Sequence, residues 1–195
     1  MKSAERRRFR VHGVVQGVGF RPFVYGLAQR HHLGGYVLND GAGVLIEAEG
    51  LGGDLDAFAV SLRLDAPALA DVRGVAVEAL PASGDSAFEI VQSRGLGGTT
   101  LIPPDIATCP DCLLELFDPG DRRYRYPFVN CTACGPRLTI VRGVPYDRAL
   151  TTMDGFPMCA ECRREYEDPA NRRFHAEPRR ARRDGLGDAG VREPP

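Results

Sequence analysis

Arg8-Phe9-Arg10-Val11-His12-Gly13-Val14-Val15 runs directly into Gln16-Gly17-Val18-Gly19-Phe20-Arg21-Pro22, and the change of rhythm between the two decides the first half of the chain. Phe9, Val11 and Gly13 alternate with polar neighbours, the period of a strand with one buried face. Glycines break that period. Proline is favoured in the first turn of a helix, so a helix is expected from Pro22 to His31, with Phe23, Leu27 and Ala28 on one face. Gly34 and Gly35 stop it. Further out, Tyr36 to Leu38 and Val44 to Ala48 read as short strands joined by the hairpin signal Asn39-Asp40-Gly41-Ala42-Gly43. A second helix is expected from Asp54 to Leu64, capped by Asp54 and burying Leu55, Phe58, Ala59 and Leu62, with Pro67 beyond its end. Val72, Val75 and Val77 suggest another strand and Phe88 to Val91 a last one. The order β-α-β-β-α-β is that of an α+β, ferredoxin-like domain, two helices on an antiparallel sheet.

The whole chain has 195 residues, of which 43% are hydrophobic and 26% charged, values of a globular protein with a core. Length alone allows one domain or two small ones. A net charge of -1 gives no bulk reason to expect nucleic acid. Of the 25 basic residues only Lys2 is a lysine, a skew that fits GC-rich coding. No apolar stretch approaches the roughly 20 residues of a bilayer span, and Arg10 and His12 interrupt any secretory apolar region after the basic start. The cytoplasm is the expected compartment.

A glycine-containing turn that feeds a helix N-terminus is an anion cradle, because the main chain comes close and its N–H groups meet the positive end of the helix dipole. Gln16, Gly17, Val18, Gly19 and Phe20 form such a turn, and Arg21 closes it with a planar, permanently charged fork suited to a phosphoryl group. Tight chain reversal is the plainer explanation of the glycines. A dinucleotide site is excluded: Pro22 stands where a third glycine belongs, and no parallel βαβ unit follows. Asn39 reads first as a turn former, but strand pairing in this topology brings it beside the turn, where its carboxamide can orient a water near Arg21.

All six cysteines lie at or after Cys109. Cys109-x-x-Cys112 and Cys131-x-x-Cys134, separated by residues 113–130, have the spacing of a closed four-thiolate zinc site, a structural site with no open position. Zinc would brace a segment too small and too rich in Pro and Arg to fold on apolar contacts alone. A redox pair lacks its usual βαβ context. Cys159-x-x-Cys162 has no partner pair: Ala181 and Asp184 stand where the first spacing would put thiols, and His175 offers one further ligand at most. A partial second site is therefore the expectation there, with zinc doubtful.

Val11 to Arg21, followed by Tyr36-Val37-Leu38-Asn39 and Gly43-Val44, resembles the acylphosphatase signature. That resemblance implies hydrolysis of an acyl phosphate, with the turn and Arg21 binding phosphate and Asn39 placing the attacking water. Cys131-Thr132-Ala133-Cys134-Gly135-Pro136-Arg137, Thr151 to Cys159, and Asp168 to Pro178 resemble the zinc region of HypF-type carbamoyltransferases, which serve hydrogenase maturation. Both signatures occur in that family's order across residues 8–178. The resemblance implies release of carbamate from carbamoyl phosphate. Later domains of the family then form carbamoyl adenylate and pass the carbamoyl group to a HypE-type partner.

The family pattern stops at Pro178, and Arg179-Arg180-Ala181-Arg182-Arg183-Asp184 stands where a fourth Cys-x-x-Cys is expected. A frameshift or truncation is the expectation, with carbamoyl transfer confined to a full-length protein. The resulting division is an acylphosphatase-like domain at 1–93, a linker at 94–108, and a zinc region at 109–178 with a complete set over 109–134 and an incomplete one over 159–184. A disordered tail at 179–195 is expected, with nucleic-acid binding by its basic run the weaker reading. Two alternatives stand beside the enzyme: an inactive zinc-stabilised protein-binding module, and a stand-alone acylphosphatase unrelated to hydrogenase maturation.

Overall fold

The computed structural model describes residues 4–93 and 101–177. Residues 94–100 of the linker and the whole of the tail considered above lie outside those residues. The elements of the first half are β1 (Glu5–Val14), α1 (Phe20–Arg30), β2 (Gly34–Asp40), β3 (Gly43–Gly50), α2 (Gly52–Leu64), β4 (Asp71–Leu80) and β5 (Phe88–Ile90). They build one sheet in the order β4-β1-β3-β2-β5 with the two helices packed on it.

Alternation places Phe9 and Val11 of β1 in the core, where they meet Val37, Ile46, Phe58 and Leu62, all fully buried. Phe9 and Phe58 meet edge to face at 5.4 Å, joining β1 to α2. The other face of β1 carries Arg6 and Arg8. On the sheet they pair with Glu47 of β3 at 2.8 and 2.7 Å. Arg6 also reaches Glu49, whose carboxyl is drawn down to about 2 chiefly by the Ser83 backbone N–H.

Three details depart from expectation. The first helix begins at Phe20, two residues before Pro22, because Gly19 takes a left-handed conformation (φ 75°) and caps it. Its buried face is Phe20, Arg21, Val24, Leu27 and Ala28, with Phe23 only partly covered. Asp54 does not cap α2, which starts at Gly52 after an extended Leu51, so Asp54 lies inside the first turn where it favours the helix dipole. The sheet is mixed: β5 runs parallel to β2 along Gly35–Val37, because the chain crosses from β4 to the far edge before forming it.

The second half is stitched by short turns around a cluster of Cys112, Val129, Cys131 and Cys134. Its helices are α3 (Pro110–Phe117) and α4 (Ala160–Glu167), each starting at the first cysteine of a Cys-x-x-Cys pair. Cys109-x-x-Cys112-x-x-Glu115-x-x-Asp118-Pro119-x-x-Arg122-Arg123 recurs fifty positions on as Cys159-x-x-Cys162-x-x-Glu165-x-x-Asp168-Pro169-x-x-Arg172-Arg173. Local geometry repeats with it, since Arg125 and His175 both take positive φ and donate their N–H to Leu116 O and Tyr166 O.

Candidate active site and metal centre

The turn between β1 and α1 is held from both sides by one side chain. Gln16 is buried, its Nε2 donates to Asp40 O and Gly43 O at 2.8 Å each, and its Oε1 accepts from the Tyr146 N–H at 3.1 Å. Its carboxamide is thereby committed to fastening the β2–β3 hairpin and the second half to the turn. Gly17 needs to be glycine: with φ 73°, a Cβ there would sit 2.9 Å from Pro136 Cβ and 3.1 Å from the Tyr146 ring. Val18 and Phe20 are buried and act as wedges under the turn. Phe20 and Arg21 open α1, so their N–H groups have no partner within the helix and lie at its positive end.

Arg21 and Asn39 are brought together. Asn39 sits opposite Val44 in the hairpin register and is buried. With its carboxamide oxygen turned to the guanidinium it accepts from Arg21 Nη2 at 3.2 Å and Nε at 3.1 Å. Arg21, only 7% exposed, also bonds Asp147 through Nη2 at 2.9 Å and Ser93 Oγ through Nη1 at 3.4 Å. Asp147 is one of several groups that sequence reasoning did not place here.

His175 and Glu177 approach the same point, and one donor atom from each of Asp147, His175 and Glu177 falls within 4.8 Å of the others. His175 and Glu177 share the wall of a small cavity of about 30 Å³ with Gly17, Gly19, Arg21 and Asn39. Burial pushes Glu177 up to about 8, with the Asp147 charge adding, while Tyr166 OH lies 3.0 Å from both carboxyl oxygens. Burial also holds His175 down to about 3, and the Arg21 charge adds to this. His175, weighed from sequence as a ligand for the second cysteine pair, belongs to this cavity instead.

The four sulfurs of Cys109, Cys112, Cys131 and Cys134 lie within 4.8 Å of one another, with Cys109–Cys131 at 3.7 Å and Cys131–Cys134 at 3.8 Å. A tetrahedral zinc site with Zn–S bonds near 2.3 Å has edges of about 3.8 Å, so the donor set fits zinc. Arg172 from the second repeat stands over it, 3.6 Å from both Cys131 and Cys112, and pairs with Glu115 at 2.9 Å. The relation is reciprocal: Arg122 of the first repeat donates to Cys162 at 3.1 Å and to Glu165 at 2.6 Å. Among the described residues nothing joins Cys159 and Cys162 as a third ligand.

The sheet domain is acylphosphatase-like: residues 7–90 match the Acylphosphatase family model, and an acylphosphatase of Thermotoga petrophila is 40% identical over 84 residues, 92% of its length and 43% of this chain. The chain belongs to the acylphosphatase family through this domain. Residues 108–141 and 158–179 match the HypF finger, once for each repeat. Carbamoyltransferase HypF of Rhodobacter capsulatus is 55% identical over 172 residues, 88% of this chain and 23% of that protein. The crystal structure of full-length HypF in the phosphate- and nucleotide-bound form superposes with a TM-score of 0.83 at 46% identity, covering 92% of this chain and 24% of that one. HypF of T. kodakarensis gives 0.77 at 50% identity over 90% of this chain and 22% of that one. Along nearly its whole length the chain is thus similar to the N-terminal region of HypF-type carbamoyltransferases, and it spans about a quarter of the length of these relatives. No helix of the described residues is long and apolar enough to cross a membrane.

Proposed function

We propose that the chain hydrolyses an acyl phosphate, that the substrate is carbamoyl phosphate, and that in a longer HypF-type protein this step opens carbamoyl transfer to a HypE-type partner during hydrogenase maturation. The observation that carries the reading is the buried Arg21–Asn39 pair set against the glycine turn at the start of α1.

The phosphoryl group lies on the N–H groups of the Gly17–Phe20 turn and on Arg21, which compensate charge on its oxygens as the bond to the leaving carbamate lengthens. Arg21 takes the Asn39 carboxamide oxygen, leaving the Asn39 amino group to hold the attacking water. Water adds to phosphorus, the P–O bond to the acyl oxygen breaks, and the carbamoyl phosphate dianion gives carbamate and dihydrogen phosphate. Asp147 must leave Arg21 for the phosphate to enter. Zinc on Cys109, Cys112, Cys131 and Cys134 braces the finger that carries Asp147 and takes no part in this step.

Phosphate release from carbamoyl phosphate by the zinc-loaded protein tests the reading. Arg21→Ala is expected to lower kcat/KM by at least about a hundredfold, the scale of losing one donor to a developing anion. An unchanged rate in that variant would remove the assignment.

A further inference from the structure

Two residues of the cavity wall each carry a buried polar atom with no hydrogen-bond partner, Asn130 at Oδ1 and His175 at Nδ1. Turning the Asn130 amide over would not relieve it, since Nδ2 donates to Gly135 O at 3.0 Å and the reverse would set oxygen against oxygen. Asn130 is 3% exposed and immediately precedes Cys131, so the cysteine knuckle fixes its position. The His175 ring is clamped between Tyr166 at 4.7 Å and Phe174 at 4.1 Å, both nearly parallel to it. A neutral imidazole accepts at one nitrogen and donates at the other, and we assign Nδ1 as the acceptor. Buried acceptors are normally satisfied, so two orphans lining one cavity mark where a ligand supplies the donors.

Both residues come from the finger half, and both border the cavity that holds Arg21 and Asn39. We propose that Asn130 and His175 recognise the acyl end of the substrate, accepting hydrogen bonds from an N–H-bearing acyl group whose phosphoryl end rests on Arg21 and the Gly17–Phe20 turn. A carbamoyl group carries two N–H donors where an acetyl group of the same shape carries a methyl. Acetyl phosphate in this place leaves both acceptors facing an apolar group, and a site built to bond N–H rejects the analogue that lacks it. The sheet domain performs the phosphoryl chemistry and the finger sets the choice of acyl group. The proposal rests on the acyl phosphate reading above.

The test is the ratio of kcat/KM for carbamoyl phosphate over acetyl phosphate, with the same ratio taken from binding by calorimetry. The zinc-loaded chain is expected to prefer carbamoyl phosphate by at least about tenfold. His175→Phe keeps the stack and removes the acceptor, and should cut that ratio about tenfold, the worth of one good hydrogen bond. His175→Gln restores an acceptor and should recover part of it. Equal handling of both substrates by the unaltered chain, or an unchanged ratio in His175→Phe, overturns the proposal. Binding that prefers carbamoyl phosphate without any turnover supports it and removes the hydrolysis reading instead. Should His175→Phe fail to fold, the ratio in the unaltered chain still decides.

Discussion

At the scale of the residue, Arg21 is asked to serve two anions. Asp147 occupies its Nη2 at 2.9 Å, and a bound phosphate needs the same donors. Asp147 is partly exposed. Asp147→Asn removes the competing charge while keeping size, so inorganic phosphate should inhibit more tightly, by about fivefold, if the ion pair contributes of order 1 kcal/mol. An unchanged inhibition constant, measured by competition during turnover, would mean that Asp147 does not compete. Arg21 and Asn39 were legible because a turn and a hairpin bring them together over a short span of chain. Asp147 lies 126 positions from Arg21 and arrives through irregular backbone, so no period marks it. Phe174-His175-Ala176-Glu177 stood out as a family-like run, yet nothing in its composition says that it folds over an arginine near the other end of the chain.

At the scale of the element, the helices and strands of the first half follow from alternation and helical spacing, and the errors are local. Left-handed Gly19 starts α1 earlier than proline statistics suggest, and the parallel docking of β5 depends on a crossover that spacing does not encode. The fifty-residue repeat is legible in the sequence only when the Glu, Asp-Pro and Arg-Arg positions are aligned together with the cysteines. Its consequence is an exchange: each repeat lends its arginine pair to the other's helix, Arg172 and Arg173 to Glu115, Arg122 and Arg123 to Glu165. Arg172 also stands against three sulfurs, Cys109, Cys112 and Cys131, where it would offset the charge of four thiolates on one dication. Arg172→Ala should therefore weaken zinc retention at the first set by about 10- to 100-fold, the usual cost of removing an outer-shell partner. Arg122→Ala, which faces the other pair, should leave that set's affinity within about twofold, and competition with a chromophoric chelator distinguishes the two. Equal loss in both variants would point to general unfolding of the finger rather than charge compensation.

At the scale of the whole molecule, the two halves meet over groups that neither would bury alone. Glu177 is fully buried in the same cavity wall as Arg21, and burial raises its carboxyl from the usual 4.5 to about 8. The folded protein therefore holds a proton that the unfolded chain releases. Between pH 4.5 and 8 the native state binds one proton more than the unfolded state, so this group's contribution to stability is complete below pH 4.5 and is lost as pH rises toward 8. The slope is at most about 1.4 kcal/mol per pH unit for one group. Glu177→Gln keeps the shape, stays neutral and removes the titration. Melting temperatures of the zinc-loaded protein and the variant, taken from pH 6 to 8.5 so that the thiolates keep their metal, should diverge steadily, with the variant gaining on the parent as pH rises. Parallel curves would mean that Glu177 is ionised in the native state, with the Arg21 guanidinium offsetting its charge, and the cavity would then present a carboxylate rather than a neutral acid to whatever Arg21 binds.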